Sequence, residues 1–465
     1  MKHPFPILIL LALVAPGSFA VAQQSPGLSL ETALKALPTA PGWQMAELTA
    51  QSAQRQLEVA QAGAGFSLTA NGAYTTSRTD GIPLENLPPG TQLSSSSGSV
   101  SATAGLTVLP WSPAFDAVRA AERNLERANI DRLEARSQLA AQVLKQYFDL
   151  KLASTDLELA RSGVELAKSR LEIANAQLEA GVGTREGVLN ANQGLEASRA
   201  NERAATNDLE LRRRSLSITL GTNITTTELT TAVPEVNLKD NVLEAGLPTA
   251  LKRRGDILKA TSQVADATDT LEGARRDRLV PDVGLNLQYG GVAQNGDAAG
   301  ARVTGDLNFK TGQVSVTPGY GFGSTSVGSR VSLGANIAIP IIAPSNDTKI
   351  SSAENQLTLA QHSLETVRIN AELDVRTQYA AAQAALTQVE VARAGLLSAQ
   401  EKNANAEKRL TAGLGTAIDR ETAKLANVQA ERDLEFARIN AVSAVLRFVA
   451  SLAPINPMEP LSSLP

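Results

Sequence analysis

The chain has 465 residues, a formal net charge of −4 and no cysteine. The lack of cysteine excludes disulfide bonds and thiolate metal sites, so packing must stabilise the fold. The weakly acidic balance and the absence of a basic block argue against a nucleic-acid partner.

Residues 1–22 have the pattern of a signal peptide. Lys2 supplies the positive start, Ile7–Ala15 form the apolar run, and Ala20-Val21-Ala22 is a small-x-small cleavage site. The apolar run is too short for a helix that spans a membrane. We therefore expect export of the chain and removal of this segment.

Residues 23–220 form the first of two predicted structural repeats. The hydrophobic period changes from helical to alternating and back again, which indicates helices, strands and then very long helices. The predicted elements are helices at 28–37 and 43–62, strands at about 66–76 and 99–109, a helix from about 113 to 179 and a return helix at 185–220.

Residues 246–452 repeat this order after a Thr-rich connecting segment at 221–245. The predicted elements are a helix at 247–278, strands at about 282–290 and 330–340, a helix from about 347 to 411 and a return helix at 417–452. An extra hairpin at 303–320 is unusual; it either lengthens the strands or lies in an external loop. The proline-rich tail 453–465 is expected to be extended and poorly packed.

Each long helix ends in nearly the same five residues. Residues 180–184 read Ala-Gly-Val-Gly-Thr, and residues 412–416, 232 positions later, read Ala-Gly-Leu-Gly-Thr. Glycine just past a helix end closes the last turn in a left-handed conformation, and Thr184 and Thr416 are good N-caps for a following helix. The sequence therefore predicts the tip of an αα-hairpin in each half; we call 180–184 the first tip and 412–416 the second tip.

A seven-residue seam leads into each tip. The same offset of 232 relates the seam residues of the two halves, which are Leu157, Ala160, Val164, Ala167, Leu171, Ala174 and Leu178, and Val389, Ala392, Leu396, Ala399, Asn403, Ala406 and Leu410. A period of 3.5 predicts left-handed supercoiling, and alanine allows close approach of the backbones. A single helix of this kind is typical of an ordinary coiled coil, but the matched tips favour a duplicated architecture.

The predicted strands alternate between apolar and polar residues. In Val100–Val108 the alternate positions are Ser101, Thr103, Gly105 and Thr107, a pattern typical of a strand with lipid on one face and water on the other. Strands of about a dozen residues have the length of tilted barrel strands that cross a bilayer. Four strands are too few to enclose a pore, so several chains must contribute.

The duplicated order, the two tips, and the residues after them (Val188-Leu189-Asn190-Ala191 and Ile418-Asp419) resemble the TolC-like outer-membrane efflux protein family, also called outer membrane factors. The resemblance covers nearly the whole mature chain, from about Leu28 to Leu452. It implies a fold that is mainly α with a membrane β part. Long duplicated hairpins of a homotrimer form an α-barrel tunnel, and four strands per chain form a shared 12-stranded transmembrane β-barrel.

The same resemblance implies a location in outer-membrane lipid, with a long periplasmic extension. The implied function is the exit duct of a tripartite efflux or type I secretion system, which passively conducts substrates to the exterior. The tips then dock onto a periplasmic adaptor (membrane fusion) protein that is attached to an inner-membrane pump or ABC exporter. The implied docking residues are Gly181, Gly183, Thr184, Gly413, Gly415 and Thr416.

The resemblance also implies a periplasmic entrance gate at Asp419, Arg420 and Glu421. Family members often carry acidic residues here, but Thr422 stands at a second position that is acidic in some of them. A ring of three Asp419 carboxylates and a role for Asp419 in stabilising the first helical turn are compatible hypotheses. Arg420 and Glu421 either pair between helices or form an ordinary solvated face.

No residue pattern calls for catalysis, a cofactor or a metal. His362 is alone on a long helix, and neither a Ser/His/Asp arrangement nor an HExxH motif appears, so we expect no enzymatic activity. The alternative function is a periplasmic coiled-coil scaffold or envelope tether that transports nothing. It explains the helices and tips but not the duplicated strands. The exported substrate is not encoded in any pattern that we recognise.

Overall fold

The computed structural model describes residues 28–78, 94–225, 229–238, 242–293, 298–323, 326–339 and 344–452. The predicted signal peptide and the tail 453–465 lie outside these residues, as do parts of the segments between the predicted strands and of the connecting segment. None of the described helices combines the length and the apolar character needed to cross a membrane.

Helices make up most of the described chain. They are α1 (Leu30–Lys35), a 3₁₀ turn (Leu37–Thr39), α2 (Pro41–Ala64), α3 (Pro113–Glu179), α4 (Arg185–Leu220), α5 (Val242–Arg253), α6 (Gly255–Leu279), α7 (Pro344–Thr411) and α8 (Ala417–Ser451). With 67 and 68 residues, α3 and α7 each span roughly 100 Å at 1.5 Å per residue. Helix α3 starts sharply because the Ser112 hydroxyl accepts a hydrogen bond from the Ala114 amide, and Pro113 is suited to the first position.

All the described strands belong to one antiparallel sheet. They are β1 (Phe66–Arg78), β2 (Ser94–Thr107), β3 (Asp282–Ala293), β4 (Ala298–Asn308), β5 (Gln313–Phe322) and β6 (Ser326–Ala338), in the order β1-β2-β5-β4-β3-β6. The mainly helical fold with a β part is thus confirmed.

The extra hairpin corrects one detail of the expected fold. Strands β4 and β5 form this hairpin, and they lie between β2 and β3 in the same sheet. They neither lengthen other strands nor lie in an external loop, because both of their outer edges bond to neighbouring strands. The described part of the chain therefore supplies six strands to the sheet, where the family resemblance implied four.

The two faces of the sheet differ in polarity. Paired residues share a face, and one row of pairs joins Leu106 to Val314, Val314 to Leu307 and Leu307 to Leu285 across four strands. The opposite face carries small and polar side chains, among them Ser67, Thr69, Ser101, Thr103, Ser315, Thr317, Thr304, Asp306, Asn286, Gln288, Ser332 and Asn336. The period-2 alternation thus gives the whole sheet an apolar face and a polar face.

The main core lies where the two hairpins meet, about halfway along the long helices. Tyr147 and Phe148 of α3 are fully buried and pack edge to face, with ring centroids 5.4 Å apart. The Tyr147 hydroxyl donates to the Leu28 carbonyl at 2.8 Å and accepts from the Thr231 amide at 3.1 Å. One side chain therefore ties the segment just before α1 and the connecting segment to α3.

Beyond this core, the hairpins are held by the seams. Helix α3 packs on α4 and α7 packs on α8, and a small cluster of Val164, Ala167 and Leu195 is buried between the first pair. From Val389 to Leu410, the seam residues of α7 are half-buried while the residues between them are exposed. The 3.5-residue period therefore selects the contact face of each long helix.

We predict that Ala392→Leu destabilises the protein whereas Ala394→Leu does not. Ala392 is a half-buried seam residue, and a larger side chain there overpacks the interface by about 1–3 kcal/mol. Ala394 is exposed on the same helix and serves as the matched control. Thermal unfolding followed by circular dichroism should show a lower midpoint for Ala392→Leu only. Equal midpoints for the two variants would show that the seam is not tightly packed.

Candidate functional site

The first tip closes through backbone hydrogen bonds around two glycines. Gly181 has a φ of 71° and donates to the Leu178 carbonyl at 3.0 Å, and the Val182 amide donates to the Gln177 carbonyl at 3.0 Å. A Cβ on Gly183 would lie 2.8 Å from the Leu178 nitrogen, closer than real Cβ atoms approach. Backbone conformation requires glycine at the first position, and space requires it at the second.

The second tip has the same construction. Gly413 has a φ of 73° and donates to the Leu410 carbonyl at 3.0 Å, and the Leu414 amide donates to the Arg409 carbonyl at 2.8 Å. A Cβ on Gly415 would lie 3.2 Å from the Arg409 Cβ. The two pentapeptides therefore fold alike because they place glycine at the same two positions.

The helices that follow the tips start with different caps. Thr184 accepts a hydrogen bond from the Gly187 amide at 3.1 Å, a simple N-cap. Thr416 accepts from the Asp419 amide at 3.1 Å, and the Asp419 carboxylate accepts from the Thr416 amide at 3.0 Å, which completes a capping box. The carboxylate thus supports the first turn of α8, as one of the two sequence hypotheses expects.

The charge of Asp419 is stabilised in this position. The Thr416 amide, then the Thr416 hydroxyl and the charge of Arg409, hold the pKa of the Asp419 carboxyl below its ordinary value. The side chain is exposed, so the carboxylate also faces solvent at the tip. Structural support for the helix and a charge presented to the entrance are compatible in this geometry.

Arg420 and Glu421 pair with each other. Arg420 Nη2 lies 2.6 Å from Glu421 Oε1, and Arg420 Nε lies 4.0 Å from Glu407 Oε2 on α7 of the same hairpin. Near these residues, the hydrogen bond that joins the two hairpins runs from Arg170 Nη2 to Thr422 Oγ1, at 3.2 Å. The sequence did not identify Arg170, because no local pattern relates α3 to α8.

A charged cleft of about 760 Å³ separates the two hairpins near the tips. It is lined by Ser162, Glu165, Lys168 and Ser169 of α3 and by Arg420, Glu421 and Lys424 of α8, among others. Away from the tips the cleft ends where ion pairs join α3 to α8.

Two ion pairs close this junction. Arg432 binds Asp156 through both oxygens, at 2.7 and 3.1 Å, and Lys151 lies 2.9 Å from Glu435. Hydrogen bonding to Asp156 raises the pKa of Arg432 above its ordinary value, so the guanidinium stays charged. Hairpin separation is therefore confined to the tip side of these pairs.

Two exposed apolar side chains at the tips were not among the predicted site residues. Val182 is 80% exposed and Leu414 is 73% exposed, although each is flanked by conformationally constrained glycines. Each occupies the one position at which the two pentapeptides differ. The residue is apolar in both copies, and this was the signal in the sequence that could have identified it. The exposure of Val182 and Leu414 places one apolar side chain at the outer end of each hairpin.

The described residues contain no group of three or more His, Cys, Asp or Glu side chains arranged to hold a metal ion. His362 is exposed on α7. What the site offers chemically is two rigid turns with an apolar residue each, one of them followed by a carboxylate.

Comparison with family models gives one match, described as "Outer membrane efflux protein", over residues 34–222 and 246–453. These two stretches cover most of both halves of the chain. No curated protein matches the sequence.

Solved structures with the same fold include outer-membrane proteins from several bacteria. VceC from Vibrio cholerae has a TM-score of 0.64 and 17% identity, with 91% of this chain and 96% of that chain covered. The CmeC outer membrane channel from Campylobacter jejuni has a TM-score of 0.67 and 16% identity, with 96% of this chain and 94% of that chain covered. The open state of the MtrE outer membrane channel from Neisseria gonorrhoeae has a TM-score of 0.65 and 18% identity, with 91% of this chain and 88% of that chain covered. At these identities the likeness concerns the fold alone.

We predict that Asp419→Asn loosens the second tip at neutral pH. Because the folded pKa of Asp419 is depressed, its stabilising contribution is present at neutral pH and is lost as the pH falls through that lowered pKa. Hydrogen exchange at residues 417–420, corrected for intrinsic rates, should be faster in the variant at neutral pH and equal at the lowest pH. The first tip lacks this carboxylate, so residues 185–188 are the internal control. Equal protection at neutral pH would contradict a stabilising capping box.

Proposed function

Because the chain belongs to the outer membrane efflux protein family, we propose that it is the exit duct of a tripartite efflux or type I secretion system. In this function three copies form one continuous passage. Substrates delivered by a periplasmic adaptor and an inner-membrane pump or ABC exporter cross it passively to the exterior. The protein supplies a route and performs no catalysis.

The observation that carries the proposal is the open, two-faced sheet. Of the described strands, β1 and β6 each have one edge without a partner, so backbone donors and acceptors remain available along both sides of the sheet. In lipid these groups must be bonded, and closure with further copies bonds them. The apolar face then contacts lipid and the polar face encloses water.

Exposed apolar side chains on the helices support assembly with further copies. On α7, Leu359, Ile369, Leu373 and Val391 are all more than half exposed, and at 100° per residue they fall on one side of the helix. Such a stripe on a long helix is typical of a surface that another chain covers. A homotrimer that encloses a helical tunnel buries it between neighbouring copies.

The distance between the sheet and the tips supports the proposed orientation. The sheet lies at one end of α3 and α7, and the tips lie at the other end, roughly 100 Å away by the length of the helices. With the sheet in the outer membrane, the helices extend through the periplasm. The tips, with Val182 and Leu414 exposed, are then the surface that meets the adaptor.

At the entrance, three Asp419 carboxylates form the proposed ring. Their depressed pKa keeps them ionised at neutral pH, so the ring presents negative charge to solutes that enter. Arg420 and Glu421 neutralise each other nearby, whereas the charge of Arg409 acts on the Asp419 carboxylate and offsets part of the ring charge. The entrance therefore favours cations.

The alternative, a scaffold or tether that transports nothing, has no use for the two-faced sheet. A tether needs the helices and the tips, but it does not need a polar sheet face backed by an apolar one. The sheet therefore favours the duct.

We predict that the detergent-purified protein is a trimer that forms ion channels in planar bilayers. Cation preference should fall in Asp419→Ala, because the variant removes the three carboxylates at the entrance. The measurement is the reversal potential in a salt gradient. A stable water-soluble monomer would contradict the duct, whereas unchanged selectivity in a conducting variant would contradict the carboxylate ring only.

We also predict that Gly413→Val reduces transport through the complete system while the purified channel still conducts. Valine resists the positive φ of Gly413, so the docking turn changes shape. Gly194→Val is the matched control, because both glycines have open space around a new Cβ and Gly194 lies exposed in the interior of helix α4. Cargo export by cells is the measurement. Full export by Gly413→Val with normal assembly would show that the second tip is not a docking point.

A further inference from the structure

The inserted hairpin of β4 and β5 is part of the wall of the sheet. Strand β5 pairs with β2 from Gly98↔Phe322 to Thr107↔Gln313, and β4 pairs with β3 from Gly284↔Asn308 to Val292↔Ala298. The hairpin therefore separates β2 and β3, the two strands that would be neighbours without it. An appendage lying outside the sheet would leave β2 and β3 in contact.

The hairpin continues both faces of the sheet. Its residues on the apolar face are Val303, Leu307, Val314, Val316, Pro318 and Tyr320, and they align with apolar residues of β2 and β3. On the polar face, the hydroxyl oxygens of Thr103 and Thr317 are 3.0 Å apart, and Asn286 donates to Asp306. The hairpin thus has the side-chain pattern of its neighbours on both sides.

The turn of the hairpin is fixed to the start of the first long helix. The Val108 amide donates to the Gly312 carbonyl at 2.9 Å, and Trp111 Nε1 donates to the Phe309 carbonyl at 2.9 Å. The Phe309 amide in turn donates to the Val283 carbonyl at 2.9 Å. These bonds tie the turn to both flanking strands, at the level where the sheet meets the helices.

From these contacts we propose that three copies close a barrel of eighteen strands, three times six, and that the hairpin sets the width of the exit. Successive strands in the sheet run antiparallel, so the free edges of β1 and β6 also run antiparallel and close the ring without a parallel pair. Barrel diameter grows roughly linearly with strand number, so this lumen is about 1.5 times as wide as that of twelve strands. The proposal rests on the proposed function and deepens it. The wider exit admits bulkier solutes, so the helical part of the duct limits the size of the solutes that pass.

The register of the sheet makes the proposal testable by deletion. The row of pairs from Leu106 through Val314 and Leu307 to Leu285 stays on the apolar face throughout. Removing residues 298–323 therefore brings Leu106 beside Leu285 with the faces unchanged. Strand β3 keeps its pairing with β6, and the remaining four strands per chain supply a twelve-stranded comparison.

Cysteine pairs test the strand order in the assembled protein, and the chain has no cysteine of its own to interfere. Thr103 lies beside Thr317. Gln288 belongs to the same row of paired residues but lies three strands from Thr103, roughly 14 Å away. We expect a disulfide in Thr103→Cys/Thr317→Cys and none in Thr103→Cys/Gln288→Cys, because a disulfide needs Cα atoms within about 7 Å. In the deletion variant, the Thr103/Gln288 pair should link, which provides the positive control. A Thr103/Gln288 link in the full chain would overturn the proposal.

Polymer exclusion tests the width. Poly(ethylene glycol)s of increasing size are added on the barrel side of channels in planar bilayers, and the largest polymer that enters is identified from the change in conductance. The full chain should admit polymers of up to about 1.5 times the radius admitted by the deletion variant. If the full chain and the deletion variant both conduct and admit polymers of the same largest size, the proposal is overturned. If the deletion variant does not assemble, electron microscopy of the full-length protein decides, with eighteen strands expected and twelve overturning it. Absence of any channel from the full chain would instead count against the proposed function, while the disulfide pattern would still report the place of the hairpin.

Discussion

Backbone hydrogen bonding at the edges of the sheet is the constraint on which the rest of this structure depends. The described part of the chain folds six strands, and β1 and β6 each keep one edge that no other described strand pairs with. Unpaired backbone groups are tolerated in water and are costly in lipid, so the sheet is complete only when copies join. In the proposed trimer, the ring of strands at one end continues as a ring of hairpins below it.

The helices pack against one another through little apolar surface. Their core is concentrated around Tyr147, Phe148 and Phe448, and elsewhere narrow seams hold pairs of helices together. Apart from the exposed apolar stripe on α7, the remaining faces are mainly polar, which suits walls that have water on both sides. Alanine in the seams keeps the walls thin, since it allows backbones to approach closely. The ion pairs of Arg432 and Lys151 then join α3 to α8 between this core and the cleft near the tips.

Local patterns account for what the sequence predicted well. Helix ends, caps and the left-handed glycines depend on residues within one or two turns, and the period of alternation assigns each strand residue to a face. The Thr-x-x-Asp spacing at Thr416 and Asp419 is likewise local, so the possible support of the first turn was visible in the sequence. Strand order is not local. The alternation of apolar and polar residues in β4 and β5 predicted which side chains share a face, but not which strands lie next to the hairpin. The edges of β2 and β3 that are available for pairing decide where the hairpin binds. The contact of Arg170 with Thr422 joins helices 252 positions apart for the same reason.

The capping difference between the tips has a mechanical consequence. The pentapeptides share a backbone path, yet the helix after the first tip begins with a single side-chain bond from Thr184, whereas the helix after the second begins with a reciprocal pair between Thr416 and Asp419. A reciprocal pair resists fraying more strongly, since two bonds must break together. The duplication therefore produced two hairpins of one shape and unequal stiffness. In the proposed trimer, six such ends surround one axis and alternate between compliant and rigid. Their response to mechanical load then has threefold rather than sixfold symmetry.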